Sequence, residues 1–308
     1  MIICLKKLSV LLVAFLMLCS FSSVFAEEGK ITFYVSPNGN DSNDGLSEAN
    51  ALRTIEKASE KLAGMTTNMT GDIVVNIAPG YYELSDTLTL SNAHGGTNGY
   101  NVIFRGIGDG EAVISGGSPV TGWAKVEGSP LYKATLTTVS VVRNFYVNDY
   151  PAVRARSKYN YTYKAAYNIE GSEYSIDGIL VDSRNLPRFE HPEELETIWK
   201  GSWKHFRIPV ENIIYDSPEY EGSAIFKLQN PGWDKASTVL KAPVGGDGFF
   251  IENAKEFLNE PGEFYFDSRE HMIYYYPYPE EDMATARTYV GKTETMLDIR
   301  GNTKEQKV

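Results

Sequence analysis

Apolar and polar positions change rhythm several times along the 308 residues. Ile31-Thr-Phe-Tyr-Val35 reads as a first strand. Leu52, Ile55, Ala58 and Leu62 then recur at helical spacing, with Gly64 as a stop signal, and predict one amphipathic helix. From residue 72 the runs become short, β-branched and closed by Gly, Asn or Pro. Ile73-Val-Val-Asn-Ile77 ends at Ala78-Pro-Gly80, and Leu88-Thr-Leu90, Asn101–Arg105 and Ala112–Ser115 follow. Most positions in these runs are apolar rather than alternating. That pattern predicts strands stacked in parallel around a shared core, as in a coiled sheet or solenoid.

Past Pro119 the segments are longer and more aromatic, up to about Tyr289. They include Trp123–Leu136, Arg143–Val147 and Ala224–Leu228. Glu263–Asp267 and Met272–Tyr276 read as a hairpin turning at Ser268-Arg-Glu270. Pro192-Glu-Glu-Leu195 predicts a short helix opened by proline. Thr295-Met-Leu-Asp-Ile-Arg-Gly301 then returns to the texture of Val102–Gly106. The expected organisation is a signal segment at 1–26, a cap and first rungs at 27–118, a β-rich insertion at 119–290, and a return at 291–308. Two or three rungs bury a solenoid core poorly, so the chain is expected to be truncated, the front part of a longer protein.

The N-terminus supports export. Lys6-Lys7 precede an apolar run from Leu8 to about Leu18, and Val24 and Ala26 are small enough for a cleavage site after Ala26. The run is short for a membrane span. Both cysteines, Cys4 and Cys19, lie inside it, so the mature chain has neither disulfides nor a cysteine metal site. Such a chain suits a bacterial exoprotein, secreted and without a membrane anchor once cleaved. Cleavage removes Lys6 and Lys7, which takes the net charge from −11 to −13. An acidic chain with no basic run gives no reason to expect a nucleic-acid partner. The 20 tyrosines serve either as β-core filling, the commoner use, or as platforms for sugar rings.

Several stretches carry a family resemblance. Phe33-Tyr-Val-Ser-Pro-Asn-Gly-Asn-Asp41, Asp44-Gly45 and Leu52-Arg-Thr-Ile-Glu-Lys-Ala58 resemble the start of secreted right-handed parallel β-helix proteins. Val75–Tyr82, Ala112–Gly117 and Val120–Trp123 continue the likeness. Tyr146–Arg156, Gly262–Asp267 and Ile273–Pro277 are similar to glycoside hydrolase family 141, in which a β-rich domain interrupts the β-helix after its first rungs. The resemblance implies the N-terminal part of a secreted polysaccharide-degrading enzyme, with paired carboxylates beyond the end of this chain. A non-catalytic glycan-binding or cell-surface module and a polysaccharide lyase are the alternatives. The implied partner is a polysaccharide or oligosaccharide; the oligomeric state is left open.

The residues themselves narrow the chemistry. Ser36–Gly45, rich in Asn, Asp and Gly, reads as a turn joined to a helical cap. An irregular calcium site is the weaker alternative and a substrate loop the weakest; EF-hand spacing fails because Ala51 stands at the twelfth place from Asn40. No cofactor is expected. There is no nucleophile elbow and no P-loop. His94, His191, His205 and His271 lack metal spacing. Glycoside hydrolysis needs two carboxylates. Asp109/Glu111, Asp247/Glu252 and Asp267/Glu270 are candidates, but each lies at a turn where solvated acids are common, and the catalytic residues stay unassigned. Arg154 and Arg156 alternate on one strand face and could meet a sugar or a carboxylate; an ordinary ion pair is the favoured alternative. Trp203 and His205 share a face if extended and are the other candidate sugar contacts, with packing favoured for Trp203.

Overall fold

The computed structural model describes residues 29–158, 160–168, 176–200, 204–239 and 248–301. They divide into two compact units. Unit 1 takes the chain up to Gly116 and again from Thr293; unit 2 takes Gly117–Lys292.

Unit 1 opens with β1 (Ile31–Val35), followed by helix α1 (Ile55–Ala63). Five short strands come next: β2 (Ile73–Ile77), β3 (Gly80–Glu83), β4 (Leu88–Ser91), β5 (Val102–Gly106) and β6 (Ala112–Ser115). β1, β2 and β5 form a parallel sheet in which Phe33, Val75 and Phe104 stand in one column. β3 and β6 pair in parallel beside it. All five residues of β2 are buried, as the unbroken apolar run requires.

The Ser36–Gly45 stretch is a turn that starts the helix. Asp41 Oδ1 accepts hydrogen bonds from the backbone N–H of Arg53 (2.8 Å) and Thr54 (2.9 Å), and its Oδ2 accepts from Thr54 Oγ1 (2.9 Å). Thr54 Oγ1 in turn accepts from Lys57 N as the N-cap. The helix therefore begins at Ile55, one turn later than the apolar spacing predicts. Leu52 lies outside it, bridged to Val35 in β-fashion, yet is buried with Ile55, Ala58 and Leu62. Gly45 holds φ +79°, and a Cβ there would lie 2.8 Å from the Leu52 side chain.

Unit 2 begins with β7 (Gly117–Pro119), β8 (Ala124–Lys125), β9 (Tyr132–Thr135), β10 (Phe145–Val147), β11 (Tyr150–Pro151) and β12 (Val153–Arg154). Next come β13 (Tyr161–Asn168), β14 (Ile176–Asp182), β15 (Glu196–Lys200), β16 (His205–Ile214), β17 (Ser223–Leu228) and β18 (Gly248–Glu252). These six close into an antiparallel barrel in the order β13-β14-β17-β16-β15-β18. β19 (Glu263–Asp267), β20 (Met272–Tyr275) and β21 (Thr288–Gly291) complete the unit. β12-β19-β20-β9-β8 form one sheet and β11-β10-β21-β7 another. Residues 123–136, expected as one long segment, are split into β8 and β9 by a turn with Gly128 at φ +69°. Pro192–Glu194 forms a single 3-10 turn.

The barrel core follows from strict alternation. On β15, Thr197 and Trp199 point inward; on β18, Phe249 and Ile251 do. Trp199 and Phe249 are cross-strand partners and stack at 4.5 Å. The Trp199 indole N–H donates to Thr197 Oγ1 (3.0 Å), so the buried donor is satisfied.

The last described strand, β22 (Leu297–Arg300), lies in unit 1 and pairs in parallel with β4. Thr87 Oγ1 donates to the Thr295 carbonyl across 208 positions (2.7 Å). The described chain is thus mostly β, but not a run of parallel rungs. Antiparallel pairing predominates among the described residues, and parallel pairing is confined to the three small sheets of unit 1, the isolated Val35–Leu52 bridge and the β12–β19 contact. Among the described residues no helix is long and apolar enough to cross a membrane.

Asp41 satisfies three donors at the start of α1. Asp41→Ala is expected to cost ~1–2 kcal/mol locally. Hydrogen exchange should then quicken in residues 53–63 and stay unchanged in the barrel. Unchanged exchange across α1 would show that the carboxylate does not hold the helix start.

Candidate functional site

The residues of β15 and β18 that point out of the barrel build two neighbouring features. On β15 these are Glu196, Ile198 and Lys200; on β18 they are Phe250 and Glu252. Register sets Glu196 opposite Glu252 and Ile198 opposite Phe250. On the other side of β15, Ile198 faces Arg207 and Lys200 faces His205.

The first feature is a buried ionic cluster. Glu196 and Glu252 are both almost fully buried. Three arginines meet them. Arg143 Nη2 donates to Glu196 Oε1 (2.6 Å), and the Arg154 guanidinium donates to Glu196 Oε2. Arg207 Nη1 bridges the two acids, donating to Glu196 Oε2 (3.1 Å) and to Glu252 Oε2. Arg154 Nη1 also stands 3.7 Å from Glu252 Oε2. Arg154 itself is buried, and its Nε has no hydrogen-bond partner.

The electrostatics decide what this cluster can do. Burial pushes the Glu196 carboxyl up, but the hydrogen bonds and charges of Arg143 and Arg154 outweigh it and hold the pKa at about 2. A group ionised that firmly has no proton to give near neutral pH, so Glu196 cannot serve as a general acid. Both of its oxygens are also occupied by guanidinium donors. The cluster joins β12 and the residue 143 loop to the barrel wall, and Glu196 is engaged by guanidinium donors rather than poised to give a proton.

The second feature is an open cleft of about 490 Å³ beside this cluster. Phe250 forms part of its wall, and Tyr278 stands half-exposed at its edge. The Arg156 guanidinium carbon lies 5.7 Å from the centre of the Phe250 ring, and Lys200 Nζ lies 5.2 Å from it. Arg156 is held in place by its backbone bridge to Glu252 and by the Ser157 N–H, which donates to the Ile251 carbonyl (2.9 Å).

The candidates read from sequence are thus separated. Arg154 sits in the ionic cluster and Arg156 in the cleft, two residues apart but in different chemistry. His205 is exposed on β16, on the face that carries Lys200, and does not line the cleft. Trp203 and Asp247 lie outside the described residues, as does Ala26. Asp267 closes a turn: its Oδ1 accepts from the N–H of Arg269 (3.1 Å) and Glu270 (3.0 Å). Asp109 and Glu111 flank the turn between β5 and β6. Phe250, Lys200, Glu196, Arg207 and Arg143 carry the two features but were not singled out. Alternation within Glu196-Thr-Ile-Trp-Lys200 was the available signal, since it sets both charged residues on the face opposite Trp199.

Known proteins place this geometry in context. Residues 129–278, just under half of the chain, match the GH141 insertion domain. The fold superposes on a solved structure titled "Glycoside hydrolase" with a TM-score of 0.75 at 21% identity, over 88% of this chain and 48% of that one. At that identity the likeness is one of fold. A second solved chain, "The complex structure of XylC with xylose", aligns over 87% of this chain and 32% of that one, with a TM-score of 0.35 and 11% identity, too remote to support an argument. The uncharacterized protein YwoF of Bacillus subtilis (strain 168) is 42% identical over 93 residues, 30% of this chain and 17% of that protein. The chain spans about half or less of the length of the proteins it matches.

The ionic cluster makes stability depend on pH. The folded pKa of Glu196 lies below its ordinary 4.5, so its contribution is full above pH 4.5 and is lost as pH falls towards 2. A gap of this size is worth ~3 kcal/mol. Glu196→Gln should destabilise unit 2 at neutral pH by ~3–5 kcal/mol, because the buried Arg154 loses its nearest counter-charge. It should also flatten the loss of stability between pH 4.5 and 2. Chemical denaturation at several pH values checks both, and an acid limb as steep in the variant as in the parent would refute the assignment.

Proposed function

We propose that this protein is a secreted, glycoside-hydrolase-like protein acting on polysaccharide, in which unit 2 holds glycan in the cleft around Phe250. The observation that carries the reading is the cleft itself, within a segment that matches the GH141 insertion domain. Its volume suits one or two sugar units, and it pairs an apolar ring with a few polar groups, as sugar sites do. Aromatic faces pack on the C–H faces of sugars while charged and amide groups fix their orientation. The fold likeness to a glycoside hydrolase is consistent with this role.

Unit 1 is read as the opening turns of a parallel β-helix. Three parallel sheets with unbroken register support that reading: Ile31, Ile73 and Val102 in the first column, with β3–β6 and β4–β22 beside it. Bond cleavage is assigned to a carboxylate pair other than Glu196 and Glu252, because guanidinium donors occupy both oxygens of Glu196. On stacked parallel strands ~4.8 Å apart, acids one or two strands apart reach the separations that retaining or inverting hydrolysis uses. The ionic cluster favours a holding role for unit 2 over a cleaving one.

Affinity electrophoresis on gels cast with single polysaccharides tests the holding role. The parent protein should be retarded by at least one glycan, and Phe250→Ala should restore its mobility. Unaltered mobility of the parent on every glycan would remove the reading. Export predicts that the protein recovered from culture medium begins at Glu27; a chain that still begins at Met1 would contradict it.

A further inference from the structure

Arg156 and Lys200 reach Phe250 from opposite sides of one strand. Arg156 belongs to the segment bridged to β18 at Glu252, and Lys200 ends β15 on the other flank of β18. Both cationic groups stand within 6 Å of one ring centre. Neither has a carboxylate within ion-pairing distance among the described residues, although the chain carries 40 acidic residues against 29 basic ones. The acids that line the same cleft have other partners, one of them the cleft's third cation, Lys158. Glu260 pairs with Lys158, and Glu263 Oε2 accepts from the N–H of Asn259 and Glu260 (3.0 Å each).

Two like charges gathered at one ring repel each other, and attraction to the ring offsets only part of that. An anion between them would relieve the repulsion and complete two charge-assisted hydrogen bonds. The ring supplies an apolar wall next to that anion. An anionic group beside an apolar C–H face is the chemistry of an acidic sugar.

We infer that the Phe250 cleft recognises an acidic sugar residue, with its carboxylate or sulfate held between Arg156 and Lys200 and its ring face on Phe250. The inference rests on the glycan-holding reading of this cleft and adds the charge of the ligand.

Isothermal titration calorimetry of the mature protein tests this with four probes: trigalacturonic acid, its carboxyl-reduced neutral counterpart, a sulfated galactose trisaccharide and inorganic sulfate. An acidic trisaccharide should bind at least about tenfold more tightly than the neutral one, and its affinity should fall as salt rises. Arg156→Gln and Lys200→Gln should each remove about tenfold of that affinity and lower neutral-sugar binding by far less, while Lys200→Arg should retain it. Both sites are exposed, so the variants are expected to keep the parent's unfolding temperature. Comparison of the uronate and sulfated probes identifies the source of the charge. Equal affinity for acidic and neutral probes, indifferent to both variants, would overturn the inference and leave the glycan-holding role standing. Inorganic sulfate binding as tightly as any sugar would also overturn it. Absence of binding to all four would overturn the inference, and retardation on the polysaccharide gels then decides the holding role separately.

Discussion

Two ionised carboxylates are not buried on directly opposed positions of a sheet unless cations come with them. The register of β15 and β18 sets Glu196 against Glu252, and like charges at such positions repel. The sequence supplies three guanidiniums from separate segments: Arg143 before β10, Arg154 in β12 and Arg207 in β16. A buried ion cluster of this kind is weak evidence for added stability. Its effect is one of placement. Arg207, from the barrel itself, meets both acids, and Arg154 and Arg143 reach Glu196 as well because β12 and the residue 143 loop lie on this part of the barrel wall.

That placement reaches the cleft. β18 alternates between uses: Phe249 and Ile251 fill the barrel, Glu252 joins the ion cluster, and Phe250 faces the cleft. The segment that carries Arg154 continues into Arg156 two residues later. Fixing the first guanidinium fixes the path of the backbone that delivers the second. Asn253, just after β18, holds φ +61° and clamps the next turn, donating to the carbonyls of Glu194 and Phe266 (3.1 Å each). Core, ion cluster and cleft therefore share a few residues of one strand.

The local elements were legible because their signals are local. Ile31–Val35 and Ile73–Ile77 are strands with the limits that their apolar runs and closing residues set, and Glu263–Asp267 with Met272–Tyr275 is a hairpin. The start of α1 was misjudged by one turn because apolar spacing ignores Asp41, which acts from 12 positions away. Closure of six strands into a barrel was not legible, since it depends on pairings such as β13 with β18 that join residues nearly 90 positions apart. For the same reason sequence could mark Arg154 and Arg156 as alternating cations but not say which would find acids. Glu196 lies 42 positions beyond Arg154, and nothing near either residue encodes the meeting.

The pairing of β7 with β21 sets Gly117 opposite Gly291, so unit 2 enters and leaves through neighbouring positions. Loop-closure entropy rises with the length of free chain between two points. Once unit 2 has folded, the long excursion between β6 and β22 behaves as a short connection. The parallel pairing of β22 with β4 then no longer carries the closure cost of its sequence separation. A domain built with its ends together in this way can be gained, lost or exchanged within a host fold while the host strands on either side keep their register.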